Sequence, residues 1–122
     1  MTAMKKINLI LDCTDAQRLA EFWSAALGYD KVSRFGQYMV LSRGGPGFPR
    51  LVLQPVPEPK VTKNRFHLDI LEPDIEAEAA RLEGLGARRL DGLRQEELGS
   101  AVVSWIVMAD PEGNEFCVGE AG

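Results

Sequence analysis

The stretch that decides the fold is NLILDCTDAQRLAEFWSAALGY, residues 8–29, because it predicts one strand followed directly by one helix. Residues 5–13, around the start of this stretch, alternate between one side with Ile7, Leu9 and Leu11 and the other with Asn8, Ile10 and Asp12, as in a half-buried strand. Thr14 or Asp15 then caps a helix. Apolar side chains recur along this helix at helical spacing, namely Leu19, Phe22, Trp23, Ala26 and Leu27. We therefore predict that the two aromatic side chains of this stripe lie in the core.

The same pattern returns in HLDILEPDIEAEAARLEGLG, residues 67–86. The offset between the two halves is constant, since Asn8 and His67, like Asp15 and Asp74, are 59 positions apart. Both predicted helices end in a Leu-Gly pair, which is typical of a left-handed helix end. The agreement of alternation, cap and stop predicts a chain built from two related halves.

The polar sides of the two predicted strands are candidates for a binding surface. In the second half, the alternation predicts that Phe66, Leu68 and Ile70 face the core, while His67 and Asp69 face away from it. If the two sheets lie side by side, their polar faces line a shared cavity. The alternative is that these side chains face solvent, as on any antiparallel sheet with one wet side.

Each half is predicted to read strand, helix, strand, strand, strand. In the first half the later elements are strands Tyr29–Arg34, Gln37–Ser42 and Leu51–Val56, with a turn or mobile loop at Gly44–Pro49. In the second half they are strand Ala87–Leu90, a polar loop Asp91–Ser100, strand Ala101–Ala109, a turn at Asp110–Asn114 and strand Glu115–Val118. We predict one domain over residues 1–122, with modules at about 5–56 and 65–119.

Composition excludes several classes of function. The net charge is −4 and the basic residues are scattered, which predicts no nucleic-acid partner. No apolar run reaches membrane-spanning length, so we expect no membrane association. Cys13 and Cys117 fit neither a disulfide framework nor a CxxC metal pattern, and no signal peptide is evident, so a reduced, cytoplasmic protein is expected. The sequence also lacks a serine nucleophile elbow, a phosphate-binding loop and an HExxH helix.

Three stretches, Asp15–Tyr29, Lys63–Asp69 and Asp110–Asn114, resemble segments of the vicinal oxygen chelate superfamily, which includes glyoxalase I, bleomycin-resistance proteins and extradiol dioxygenases. The middle stretch resembles a glyoxalase-like subgroup common in bacteria. The resemblance implies an α+β fold in which two paired βαβββ modules form an eight-stranded cup. It further implies a homodimer and a small-molecule ligand held in the cup between the modules.

The resemblance also implies where a divalent metal ion would bind. Metal-binding members usually present His or Gln, Glu, His and Glu at four positions, which carry Asn8, Gln54, His67 and Cys117 in this chain. Asn is a poor ligand for hard metals, whereas Cys with His suits zinc. The metal candidates are therefore His67, Gln54 and Cys117. Three carboxylates would share the same face by alternation and are replacement ligands, namely Asp12, Asp69 and Glu115.

Two functions remain open from the sequence. The first is a binding protein that holds a small organic ligand without the full metal site; the alternative is a metal-dependent lyase, isomerase or dioxygenase-type enzyme. The predicted ligand-binding residues are Asn8, Gln54, His67, Asp69, Trp105 and Cys117. His67, the only histidine, is the candidate catalytic residue, and Cys117 is a nucleophile only if His67 lies close to it. The simpler interpretations are a hydrogen-bonded polar histidine and a small buried cysteine.

Overall fold

In the computed structural model, which describes Ala3, residues 5–45 and residues 47–120, the backbone contacts divide the chain into two units, residues 1–59 and 60–122. The boundary follows Pro59, the last of three prolines at alternating positions, after Pro55 and Pro57. Each unit contains one sheet and one helix. Of the described residues, none belongs to a helix that is long and apolar enough to cross a membrane.

The first unit has the order strand, helix, strand, strand, strand. Its elements are β1 (Asn8–Cys13), α1 (Ala16–Leu27), β2 (Lys31–Phe35), β3 (Tyr38–Ser42) and β4 (Arg50–Pro55). The sheet order is β1-β4-β3-β2, with β1 and β4 parallel and the other pairs antiparallel. The predicted loop at Gly44–Pro49 joins β3 to β4, and its Pro46 lies outside the described residues.

Helix α1 covers one face of this sheet and forms the core there. The Asp15 carboxylate accepts a hydrogen bond from the Arg18 backbone N–H at 3.1 Å, and Gly28 ends the helix with φ of 81°. The apolar stripe packs on β3 and β4, and Phe22 and Trp23 are both buried, as predicted. Their rings meet edge to face, with centroids 5.0 Å apart.

The second unit repeats this order with one extra strand segment. Its elements are β5 (Asp69–Leu71), α2 (Ile75–Leu85), β6 (Arg88–Arg89), β7 (Arg94–Leu98), β8 (Ala101–Ala109) and β9 (Glu115–Gly119). The order is β5-β9-β8, with β5 and β9 parallel, and both β6 and β7 pair antiparallel with β8. Because β6 and β7 pair with opposite ends of β8, they share one sheet position, and each described sheet has four positions.

Two predictions for the second unit are wrong. The segment Asp91–Ser100, predicted as a polar loop, contains β7, whose residues are all exposed, so no apolar alternation marks it. Phe66, predicted to face the core, is 74% exposed because β5 begins only at Asp69. With these corrections, the architecture is the expected α+β fold with a βαβββ order in each unit.

The N-cap of α2 gives a direct stability prediction. The Asp74 carboxylate accepts a hydrogen bond from the Ala77 backbone N–H at 3.0 Å. We expect Asp74→Ala to lower the free energy of unfolding by about 1 kcal/mol, because that helix N–H loses its partner. Urea denaturation followed by circular dichroism measures the change. Asp74→Asn keeps a side-chain oxygen and should retain most of the stability; an equal loss in both variants would contradict the capping role.

Candidate functional site

The face of the first sheet opposite α1, here called the open face, carries three rows of side chains across its four strands. The rows follow from the strand register, with the β3–β4 ladder continued by one residue at each end. The first row is Asn8, Arg50, Ser42 and Lys31. The second row is Ile10, Val52, Val40 and Ser33. The third row is Asp12, Gln54, Tyr38 and Phe35.

The open face forms a concavity of about 510 Å³ within the first unit. This volume lies in the range of small-molecule sites, about 300–1,000 Å³. Its lining includes three cations, Lys31, Arg34 and Arg50, while none of its described lining residues is acidic. Arg34 donates a hydrogen bond to the Gln17 side chain of α1 at 3.1 Å. The register therefore leaves Lys31 and Arg50 as the cations whose side chains face the concavity.

Asn8 and Gln54, two of the residues predicted from the sequence, both line this concavity. They lie at opposite ends of it, since Asn8 is the partner of Arg50 and Gln54 is the partner of Asp12. Four strand positions separate them, which is about 13 Å at the usual rise per residue. The two side chains are therefore too far apart to bind one ion together, but both can contact one elongated ligand.

In the second unit, His67, Asp69 and Cys117 come together, and we call them the donor triad. Their potential ligand atoms all lie within 4.8 Å of one another, and His67 Nε2 is 3.3 Å from an Asp69 carboxylate oxygen. Asp69 and Cys117 are Cα partners on the parallel strands β5 and β9. The Cys117 backbone N–H donates to the Leu68 carbonyl at 2.9 Å, which fixes this end of the ladder.

The register also changes how the two halves correspond. Asp69, two residues after His67, is the partner of Cys117, whereas Ile10, two residues after Asn8, is the partner of Val52. The position in the first sheet that matches Cys117 is therefore Val52, and Gln54 lies two residues further along β4. The apolar side chain of Val52 therefore occupies, in the first sheet, the position that Cys117 occupies in the second sheet.

The Cys117 thiol is in a surrounding that disfavours its charged form. Burial raises its pKa, and the negative charge of Asp69 raises it further, while Lys63 and Arg94 act in the opposite direction. The thiol consequently keeps its proton at neutral pH. Since the thiolate is the reactive form, the pair of His67 and Cys117 does not present an activated nucleophile.

Trp105 belongs to the same face of the second sheet as the donor triad. Ser104, Ile106 and Met108 of β8 are buried on the side of α2, and the alternation of the strand turns the half-buried Trp105 the other way. The Cα partner of Cys117 on β8 is Val107. Trp105 lies two residues before Val107 on β8, and so its side chain is the next one along the same face.

Within the second unit, Glu115, one of the carboxylates proposed as replacement ligands, has other partners. Glu115 accepts hydrogen bonds from Lys60 Nζ at 2.7 Å and from the Asn64 backbone N–H at 3.0 Å. Burial opposes the ionisation of Glu115, but these two donors outweigh it and lower the pKa of the carboxyl group. Glu115 therefore ties the segment before β5 to β9.

The sequence did not predict the two cations of the first row, Lys31 and Arg50, which we call the cationic row. Lys31 and Arg50 lie on β2 and β4, and only the combined register of β2, β3 and β4 aligns them. The available signal was the period-2 alternation of β2, which places Lys31, Ser33 and Phe35 on one face.

The donors differ between the two units in the metal that they suit. Asn8 and Gln54 offer only neutral amides at the two ends of the concavity. The donor triad offers one imidazole, one carboxylate and one thiol, which suits zinc and not magnesium or calcium, since those ions require more oxygen ligands. The second unit therefore fits a divalent metal of the zinc type.

The match to a glyoxalase-like family model, together with the βαβββ order of each unit, supports the vicinal oxygen chelate superfamily, as the resemblance predicted. The family model described as a glyoxalase-like domain matches residues 8–119. The chain belongs to this glyoxalase-like domain family. No curated protein matches the sequence.

Solved structures of similar fold cover nearly the whole chain. A glyoxalase/bleomycin resistance protein/dioxygenase family enzyme from Burkholderia phytofirmans PsJN aligns with a TM-score of 0.70 at 14% identity, covering 93% of this chain and 95% of its own. A glyoxalase/bleomycin resistance protein/dioxygenase from Alicyclobacillus acidocaldarius gives 0.66 at 17% identity, covering 95% and 90%. The virulence protein STM3117 from Salmonella typhimurium gives 0.65 at 19% identity, covering 99% and 100%. At these low identities, the structural alignments show a shared fold and no more.

Proposed function

We propose that this protein binds a small organic anion on the open face of its first sheet. The observation that carries the proposal is the order of the three rows. It places two cations at one end of the open face, aliphatic side chains in the middle, and two aromatic rings beside the polar Asp12 and Gln54 at the other end. Membership of the glyoxalase-like domain family supports a small-molecule ligand.

The charge of the first row selects the ligand's polar group. Lys31 and Arg50 are exposed cations at one end of a concavity whose described lining contains no acid, in a chain of net charge −4. A carboxylate or phosphate group can accept charge-assisted hydrogen bonds from both side chains, and the guanidinium of Arg50 can bind it with two parallel bonds. Asn8, in the same row, adds an amide donor.

The other two rows select the body of the ligand. Val40 and Val52 are half-buried at the centre, and Tyr38 and Phe35 form the far end. Covering this surface removes apolar area from water, and the aromatic rings favour a flat or aromatic group. We therefore expect an amphipathic anion with a planar apolar body.

Benzoate is a suitable first probe because it combines a carboxylate with an aromatic ring. We expect Arg50→Gln and Lys31→Gln each to weaken benzoate binding by about tenfold or more, since a hydrogen bond to a charged group contributes about 1.5–3 kcal/mol. Titration followed by amide chemical shifts measures the affinity, and the shifts should concentrate on β1 to β4.

The matched control is Arg18→Gln, which removes an exposed cation of α1 outside the concavity and should leave the affinity unchanged. Benzyl alcohol, which has the ring without the carboxylate, should bind more weakly than benzoate. If Arg18→Gln weakens binding as much as Arg50→Gln, or if the alcohol binds as tightly as the acid, the ligand is not selected by the cationic row.

The second candidate function is a metal-dependent lyase, isomerase or dioxygenase-type enzyme, and the donor triad favours it. A divalent metal at the triad would supply a Lewis acid for a carbonyl or enediolate oxygen. His67 would then be either a ligand or a general base. Zinc-loaded and chelator-treated protein should turn over carbonyl or catechol compounds at different rates. Equal rates in the two states would contradict a metal-dependent reaction. Any turnover that remained would then be metal-free, and His67→Ala should abolish it if His67 is the general base.

The homodimer, the cytoplasmic location and the bacterial source remain predictions from the resemblance and the composition. Light scattering coupled to size exclusion tests the first of these. A mass of about twice the 13.4 kDa chain is expected.

A further inference from the structure

We infer that the ligand of the open face is bipolar: its anionic end binds the cationic row, and its far end carries a hydrogen-bond donor that binds Asp12 and Gln54. This inference rests on the proposed function, since Lys31 and Arg50 have to hold the anionic end. It adds the chemistry of the far end, which the first two rows do not determine. The ligand class is an acid with a hydroxyl or ammonium group at the opposite end of a long apolar body.

Polar groups stand beside the aromatic rings in the third row. Asp12 and Gln54 are Cα partners on β1 and β4, and Tyr38 and Phe35 continue the row on β3 and β2. Gln54, Tyr38 and Phe35 line the concavity. Asp12 borders it, because the alternation of β1 turns its exposed side chain to the open face while Cys13 is buried on the other side. A ligand group that lies on the two rings therefore has a carboxylate and an amide beside it.

The side chains at this end have hydrogen-bonding capacity that the protein does not use. Within the part of the chain that the structure describes, Asp12, Gln54 and Tyr38 make no side-chain hydrogen bond or ion pair. Asp12 differs in this from Asp15 and Glu115, whose carboxylates accept hydrogen bonds from backbone N–H groups. Because a carboxylate offers only acceptors, Asp12 selects a ligand group that donates. The bond is charge-assisted and therefore stronger than one between neutral groups.

The two ends of the open face carry opposite charges. Lys31 and Arg50 lie in the first row, and Asp12 lies in the third, about 13 Å away at the usual rise per residue. Exposed charges separated by more than about 8 Å are largely screened from each other at physiological ionic strength, so each end acts on the ligand group next to it. A second anionic group in the third row would lie beside Asp12 and be repelled. The open face therefore disfavours dianions and favours donors at the far end.

The spacing of the rows sets the length of the ligand. Val40 and Val52 of the second row are half-buried and lie between the two polar ends. A one-ring acid such as benzoate, with its carboxylate on the first row, covers these valines but does not reach the third row, about 13 Å from the first. An acid with two linked rings reaches it, and burial of its apolar surface contributes to binding. Benzoate therefore probes the first end alone, and a biphenyl acid probes all three rows.

Four biphenyl acids test the inference. The parent carries a carboxylate in the para position of one ring, and the others add a hydroxyl, an aminomethyl or a second carboxylate group in the para position of the other ring. We expect the hydroxy and aminomethyl acids each to bind about tenfold more tightly than the parent, because each donates to a charged acceptor. The dicarboxylate should bind more weakly than the parent. Calorimetric titration measures the affinities, and amide chemical shifts of Asp12 and Gln54 should respond to the substituted acids and not to benzoate.

Replacement of Asp12 assigns the preference to its carboxylate. We expect Asp12→Ala to bind the hydroxy and aminomethyl acids about as weakly as the parent acid, and to bind the parent and benzoate with unchanged affinity. Asp12→Asn keeps a side-chain oxygen without the charge, so it should retain part of the preference for the hydroxy acid and lose the preference for the aminomethyl acid. The matched control is Glu21→Ala, which removes an exposed carboxylate of α1 outside the concavity and should keep every preference.

The inference and the proposed function fail in different ways. The inference alone is overturned if the parent acid binds and is weakened by Arg50→Gln, but the hydroxy and aminomethyl acids bind no more tightly than the parent. The same holds if Asp12→Ala keeps their preference, or if the dicarboxylate binds as tightly as the hydroxy acid. If none of the four acids binds to the first sheet, or if Arg50→Gln leaves the affinity for the parent unchanged, the proposed function fails and the inference fails with it.

Discussion

Replacing Trp23 by alanine is expected to lower the free energy of unfolding by about 3–5 kcal/mol, the usual range for removal of a large buried aromatic side chain. Trp23 is 2% exposed and packs edge to face on Phe22. The loss combines the apolar area returned to water with the cavity left under α1. Since small domains have a total stability of about 5–15 kcal/mol, this change removes a large part of it.

The other tryptophan provides the comparison. Trp105 is half-buried on the face of the second sheet that α2 does not cover, so we expect Trp105→Ala to lower the free energy of unfolding by only about 1 kcal/mol. Urea denaturation followed by far-ultraviolet circular dichroism measures both variants without relying on tryptophan fluorescence. Equal losses would contradict the assignment of Trp23 to the core and Trp105 to the open side of its sheet.

The helices and their buried faces could be predicted because their signals are local. Asp15 and Asp74 each cap the helix that follows through a hydrogen bond three residues on, and a glycine within the same short stretch ends it. The repeat at a constant offset then doubled the evidence for each element. Helix caps and helix-ending glycines can therefore be recognised within a short stretch of sequence.

The errors fall where tertiary pairing, and not local chemistry, makes the strand. Strand β7 is a fully exposed edge strand with a charged sequence, and only its pairing with β8 makes it a strand. Phe66 continues the alternation of β5 in the sequence, but the pairing with β9 begins only at Asp69. An alternating pattern does not show where the hydrogen-bonded ladder starts.

The same distinction separates the parts of the candidate site. Alternation around β5 correctly put His67 and Asp69 on one side, and the repeat drew attention to the first strand of each half. The correspondence of Gln54 with Cys117 needed the register of β1 with β4, which joins residues more than forty positions apart and gives Val52 instead. The alignment of Lys31 with Arg50 depends on the register of β2, β3 and β4, so no single stretch of sequence contains it.

The turn at Asp110–Asn114 gives the second large effect expected for this protein. Asp110 is 3% exposed, and its carboxylate accepts hydrogen bonds from the Glu112 and Asn114 backbone N–H groups at 2.9 and 3.0 Å. It also accepts from the Asn114 side-chain amide through both of its oxygens. We expect Asp110→Ala to lower the free energy of unfolding by about 3 kcal/mol, because buried donors left without partners cost about 1–3 kcal/mol each.

The matched control is Asp91→Ala, since Asp91 also accepts a hydrogen bond from a nearby backbone N–H, that of Gly92, but is exposed. We expect this variant to lose less than about 0.5 kcal/mol. The Asp110 turn also joins β8 to β9 and so fixes the register of that antiparallel pair. Asp110→Ala should leave benzoate binding to the first sheet unchanged under conditions where the variant remains folded, because the turn lies in the second unit. Equal stability of the two aspartate variants in urea would contradict the role of this turn.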